Sequence, residues 1–241
     1  MADREIMTGR LFGIGVGPGD PELLTLKAVR LIQHCAVIAY PAPADGAESM
    51  ARRIAADHIP AGKTEIVIST PMTPGNFPAN DVYDKYAAEI AGHLDTGRDV
   101  AVLCEGDPFL FGSFMYLFGR LSADYPTEVV PGVSSLGACA ACSGRPLVSR
   151  NQVLTIVPAP IDESRMREMI AGSDAVAIMK VGRHLQKVRR VLAELGCEDN
   201  ATYIERATLD EEKVLPLTEM AADTAPYFSM ILVRRAEGAD A

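Results

Sequence analysis

The chain has 241 residues, 48% hydrophobic and 23% charged, with 32 acidic against 23 basic side chains and a formal net charge of -9. This is ordinary globular composition, long enough for one large domain or two small ones. The acidic balance argues against broad attraction to nucleic acid or anionic lipid, no apolar run approaches the roughly 20 residues that span a bilayer, and MADREIMTGR lacks a secretory apolar stretch, so a soluble, cytoplasmic protein is the expectation.

Residues 10–16 (RLFGIGV) read as a strand running into the glycine-rich turn GVGPGDP. A helix is expected to follow over 21–35, with Asp20 as its N-cap, Pro21 in its first turn, and Leu23, Leu26 and Leu31 on its apolar face. AVIAYP (36–41) is the next strand, followed by a helix over about 48–58 and a strand over 64–70. PMTPGNFPAN (71–80), rich in proline and glycine, reads as a surface loop that could close over a substrate. A helix over 81–95 leads to DVAVLCEG (99–106), whose unbroken apolar centre marks a strand buried on both faces. SFMYLFGRLSADY supplies another helix and TEVVPGV (127–133) a fifth strand. Five strands alternating with helices predict an α/β fold with a mostly parallel sheet. Beyond Val133 a small-residue segment, SSLGACAACSGRPL, opens a second series, with strands at 153–157, 174–179, 201–205, 214–217 and 228–234 and helices near 162–171 and 184–195. The expected division is an N-terminal α/β domain over 1–132 and a C-terminal one over 133–241, with a frayed tail at AEGADA.

Three glycine-containing stretches fall at predicted strand ends: GIGVGPGD (13–20), CEGDPFLFGS (104–113) and VPGVSS (130–135). Open parallel sheets bind ligands at the carboxyl ends of their strands, and glycine lets backbone approach a ligand closely. The first stretch fails the dinucleotide fingerprint, because Pro18 stands where the third glycine belongs and the second strand ends in Ala39, Tyr40 and Pro41, not in an acid. The odd count and scattered spacing of the five cysteines do not read as a disulfide framework; Cys139 and Cys142 form a C-x-x-C that reads as packed helix. The four histidines have no metal-ligand spacing, and no metal is expected.

In this order GVGPGDPELLTLKA, EGDPFLFGSFMYL and PGVSS resemble the successive motifs of the tetrapyrrole methylase family, and the likeness spans residues 10–235. Within that family EGDPF followed by GSFMYLFGRL is most similar to the enzymes that methylate C20 of precorrin-2. The resemblance implies two α/β domains, the second with a mixed sheet, and a site in the cleft between them. It also implies S-adenosylmethionine as methyl donor, a tetrapyrrole as small-molecule substrate, and a homodimer. Donor contacts carry over to Pro18, Glu105, Gly106, Asp107, Leu110, Ser134 and Ser135, and in the second domain to Met179 and Ala207. Glu105 stands where some relatives have glycine. Asp20 and Asp107 are the charged candidates for a catalytic role, with helix capping and loop hydrogen bonding as their structural alternatives.

A polycarboxylate macrocycle needs cations. KVGRHLQKVRR (180–190) is the densest basic stretch; Gly17, Arg183 and Lys187 are the expected substrate contacts, with Arg145 and Arg150 as further candidates, although amphipathic helices often carry such a solvated face. Methylation of a cobalt-containing analogue or of another tetrapyrrole carbon remains open, as do, at greater distance, a nicotinamide oxidoreductase and a noncatalytic binding protein. RNA-directed members of the family fit the acidic balance poorly.

Overall fold

Strand β1 (Leu11–Gly15) is buried along its whole length and is an interior strand of the first of two five-stranded sheets. The computed structural model describes residues 8–44, 46–70 and 80–234, the side chain of Thr70 excepted; residues 71–79 of the closing loop expected over 71–80, and the expected frayed tail, lie outside them. Packing divides the chain into two units, Met1–Ser134 and Ser135–Ala241.

In the first unit β1 is followed by α1 (Leu26–His34), β2 (Val37–Pro43), α2 (Met50–Ala55), β3 (Thr64–Thr70), α3 (Asn80–Leu94), β4 (Val100–Cys104), α4 (Phe114–Leu121) and β5 (Thr127–Val130). The sheet order is β3-β2-β4-β1-β5 and every pairing is parallel. Helices α3 and α4 bury Tyr83, Ile90, Leu94, Phe114 and Leu117 on one face of the sheet; α1 and α2 bury Leu31, Ile32 and Ile54 on the other. With both faces covered, β4 must be apolar throughout, which explains the run VAVLC.

The helix expected over 21–35 is interrupted. Asp20 does cap, accepting from the Glu22 N–H, but the chain forms a single 3-10 turn, Pro21–Leu23, and becomes extended at Leu24. Thr25 then caps the helix proper by accepting from the Ala28 N–H. The break rotates the expected apolar face: Leu26 is 91% exposed, while Leu24, Ala28, Leu31 and Ile32 are buried.

The second unit contains α5 (Ser135–Ser143), β6 (Leu154–Pro158), α6 (Glu163–Ala171), β7 (Ala175–Met179), α7 (Leu185–Glu194), β8 (Ala201–Glu205), β9 (Lys213–Pro216) and β10 (Ser229–Arg234). Its sheet is mixed, in the order β6-β7-β10-β8-β9: β6 and β7 are parallel, and β10 runs antiparallel to both β7 and β8. Helices α6 and α7 cover one face, burying Met166, Ile170, Leu185, Val188 and Leu192. On the other face α5 contributes Ala138 and Cys139 to a smaller cluster. All five cysteines are free thiols, and Cys139 and Cys142 are part of helix packing.

Candidate functional site

In the first sheet β4, β1 and β5 are neighbours, so the three glycine-containing loops leave the same edge side by side. From β1 the chain crosses to β2 by way of α1, on one face; from β4 it crosses to β5 by way of α4, on the other. The two connections leave toward opposite faces of the sheet, which opens a crevice at the carboxyl ends of β1 and β4, the end of the sheet where open α/β folds usually hold ligands.

There the loops meet backbone to backbone. The Val16 N–H donates to the Cys104 carbonyl at 2.9 Å; Gly17 N–H donates to the Gly106 carbonyl at 3.3 Å, and Gly106 N–H donates back to the Gly17 carbonyl at 2.7 Å. Gly17 and Gly106 both take left-handed backbone, with φ of 84° and 61°. A β-carbon on Gly15 would lie 2.5 Å from the Gly132 nitrogen and 2.6 Å from the Gly106 oxygen, and one on Gly132 only 2.0 Å from that oxygen. No residue but glycine fits at these contacts. Gly17, expected to touch substrate, spends both its backbone groups on Gly106.

Asp107 adds a side-chain strut. Its Oδ1 accepts from the Phe109 N–H at 2.9 Å and its Oδ2 from the Gly132 N–H at 3.2 Å, tying the β4 loop to the β5 loop. Asp20 Oδ1 accepts from the Glu22 N–H at 2.8 Å. Geometry therefore gives both carboxylates a positioning task. Glu105 Oε1 accepts from the Ala51 N–H at 3.2 Å, joining Ser49 in capping α2. Burial pushes the Glu105 carboxyl above the usual glutamate range, against the lowering effect of the N–H groups it faces. Phe109 packs edge-on against Phe118 with ring centres 5.1 Å apart, pinning the loop to α4, and the Phe114 ring occupies the space that a side chain at Gly13 would need. Pro18, Leu110 and Ser134 are half-buried around this junction, and Ser135 opens α5. Across the three loops the charged side chains are all acids: Asp20, Glu105 and Asp107.

In the second unit Met179, ending β7, and Ala207, just past β8, join one apolar cluster with Ala138 of α5 and Met230 of β10. The basic stretch is largely engaged within the unit. Lys187 Nζ donates to the Ile161 carbonyl at 2.6 Å, Arg190 pairs with Glu163, and Arg189 holds Glu198 at 3.0 Å and the Met220 carbonyl at 2.8 Å. Arg183 is exposed in the 3-10 turn ahead of α7. Arg150 precedes β6 and so sits at the opposite edge of the sheet from the end of β7. Sequence reasoning missed the backbone at Lys180, Arg206 and Thr208, which border Met179 and Ala207 and take positive φ although none is glycine. Among the described residues no group of three or more His, Cys, Asp or Glu side chains is arranged to hold a metal ion, and no helix is long and apolar enough to cross a membrane.

Residues 10–222 match the family described as Tetrapyrrole (Corrin/Porphyrin) Methylases. The chain is 41% identical to the precorrin-2 C(20)-methyltransferase of a Sinorhizobium species over 93% of this chain and 95% of that protein. It is 30% identical to the cobalt-precorrin-2 C(20)-methyltransferase of Salmonella typhimurium, covering 95% and 98%. Among solved structures, a cobalt precorrin-4 methyltransferase superposes with a TM-score of 0.73 at 22% identity, covering 93% and 94% of the two chains. The uroporphyrin-III C-methyltransferase of Thermus thermophilus, complexed with S-adenosylhomocysteine, gives 0.68 at 24% identity over 94% and 92%.

Proposed function

The chain belongs to the tetrapyrrole methylase family, and on that premise we propose that it transfers methyl from S-adenosylmethionine to the C20 bridging carbon of precorrin-2, giving precorrin-3A in cobalamin biosynthesis. The observation that carries the reading is the junction of the β1, β4 and β5 loops at the carboxyl end of the first sheet, built on the motifs that match the family. A sulfonium donor supplies an electrophilic methyl group and a neutral leaving group, so little acid–base catalysis is required. The work left to the protein is binding and alignment, with the reacting atoms in line at about 3–3.5 Å.

The residues suit that task. Gly17 and Gly106 are held by paired backbone bonds with Gly15 and Gly132 packed against them, and the acidic side chains beside them, Asp20 and Asp107, with no cation among the loop residues, favour a positively charged sulfur. Pro18, Gly106, Asp107, Leu110, Ser134 and Ser135 would line the donor, with Met179 and Ala207 against its adenosine. Asp107 and Asp20 act by holding the loops. The proton released from C20 after methylation leaves to a pyrrole nitrogen of the substrate or to water. We further propose a cytoplasmic homodimer, for which light scattering after gel filtration should give twice the chain mass.

Incubation with methyl-labelled S-adenosylmethionine and, separately, precorrin-2, cobalt-precorrin-2 and uroporphyrinogen III tests the assignment. The expected result is one methyl transferred to precorrin-2, located at C20 by carbon-13 NMR. Turnover confined to the cobalt compound, or a methyl at another carbon, would replace it.

A further inference from the structure

Five described residues other than glycine hold left-handed backbone: Phe111 (φ 57°), Arg150 (47°), Lys180 (58°), Arg206 (50°) and Thr208 (69°). None is Asn or Asp, the types that tolerate the region best, so each conformation has to be held in place by its surroundings. Four of the five border positions assigned above to the donor: Phe111 follows Leu110, Lys180 follows Met179, and Arg206 and Thr208 flank Ala207.

Two of these four are cations at one sheet edge. Strands β7 and β8 point the same way on either side of antiparallel β10. Met179 and Ile204 both lie opposite Met230, so Lys180 and Arg206 emerge on either side of the entry to β10. Two strand spacings, about 10 Å, separate them. The Arg206 N–H is fastened to the Phe228 carbonyl at 2.8 Å, and its guanidinium stays half-exposed, 3.7 Å from Glu205. Glycine is the residue that takes this backbone at no steric cost; at both positions the chain carries instead a long side chain ending in positive charge.

Resting on the methyltransferase reading, we propose that Lys180 and Arg206 form the clamp for the tetrapyrrole's peripheral carboxylates. Partial burial supports this at Lys180, where desolvation holds the ammonium below the ordinary lysine range, a cost that an incoming carboxylate offsets. The spacing suits two carboxylates on the rim of one large ring better than a single bidentate anion.

Lys180→Gly and Arg206→Gly remove the charge and the backbone strain together. The expected result is a KM for precorrin-2 raised about tenfold or more in each, the worth of one charge-assisted hydrogen bond, with kcat and S-adenosylhomocysteine affinity unchanged and Tm held or raised. Lys180→Arg should restore KM. An unchanged KM in both glycine variants overturns the clamp. Should a glycine variant fail to fold, Lys180→Asn and Arg206→Asn, which tolerate the same backbone, repeat the measurement. Absence of turnover by the unaltered enzyme would count against the functional reading, and fluorescence titration with uroporphyrin III then decides the clamp by itself. Binding lost in the variants sustains it; equal binding, or none by the unaltered protein, refutes it.

Discussion

Asp107 joins two loops with one carboxylate, and its partners lie 2 and 25 residues along the chain. The nearer bond is the kind that an Asp in a turn suggests by itself. The farther one, to Gly132, depends on β1 separating β4 from β5, which no local pattern encodes. Asp107→Ala should weaken S-adenosylhomocysteine binding about 10- to 100-fold, as expected for losing an ionised acceptor; unchanged affinity in titration calorimetry would remove Asp107 from the donor site. Glu105 allows a test by pH. Its folded pKa lies above the ordinary value of 4.5, so the stability associated with its protonated form is present at low pH and is lost as pH rises through the folded pKa. Glu105→Gln, which can still accept from Ala51, should match the unaltered protein below about pH 4.5 and exceed its Tm increasingly above it. A Tm difference that does not change with pH would show that the carboxyl ionises without penalty.

Helices and strands were readable in the sequence to within a residue or two wherever a buried face had a clear period, as at 81–95 and 201–205. The segment after Asp20 misled because Leu23, Leu24 and Leu26 continue an apolar pattern across a break that Thr25 repairs with its own cap. Helix α7 has the expected amphipathic form, but its charges divide by task in a way that spacing alone does not reveal. Lys187→Glu should cost about 1–2 kcal/mol in urea unfolding, because the Ile161 carbonyl loses a charged donor. Arg183→Glu, ahead of the helix and exposed, should leave stability nearly unchanged and raise the tetrapyrrole KM several-fold, in keeping with a screened surface charge. If KM stays put at Arg183→Glu, the residue belongs to the solvated face. The left-handed turns at Lys180 and Arg206 were invisible beforehand, because a non-glycine residue in that conformation leaves no mark in a single sequence.

At the scale of the molecule, alternation of strands and helices was enough to foresee a parallel sheet followed by a second α/β unit. The order β3-β2-β4-β1-β5 is a matter of tertiary packing and was not legible; it is also what makes three separated motifs into one site. Ligand linkage tests that site in the whole protein. S-adenosylhomocysteine at a hundredfold excess over its Kd should add about 2.7 kcal/mol of stability, raising Tm by roughly 5–10 °C for a chain of this size. No shift in differential scanning fluorimetry would argue against donor binding. The interlocked glycines also limit how this enzyme can be altered. Because Gly15, Gly106 and Gly132 touch main chain to main chain, a methyl added at Gly15 or Gly132 jams against the other two turns. Regrafting this junction would therefore mean transplanting the three turns as a single cassette, and lineages that reshape it are expected to do so in concerted steps.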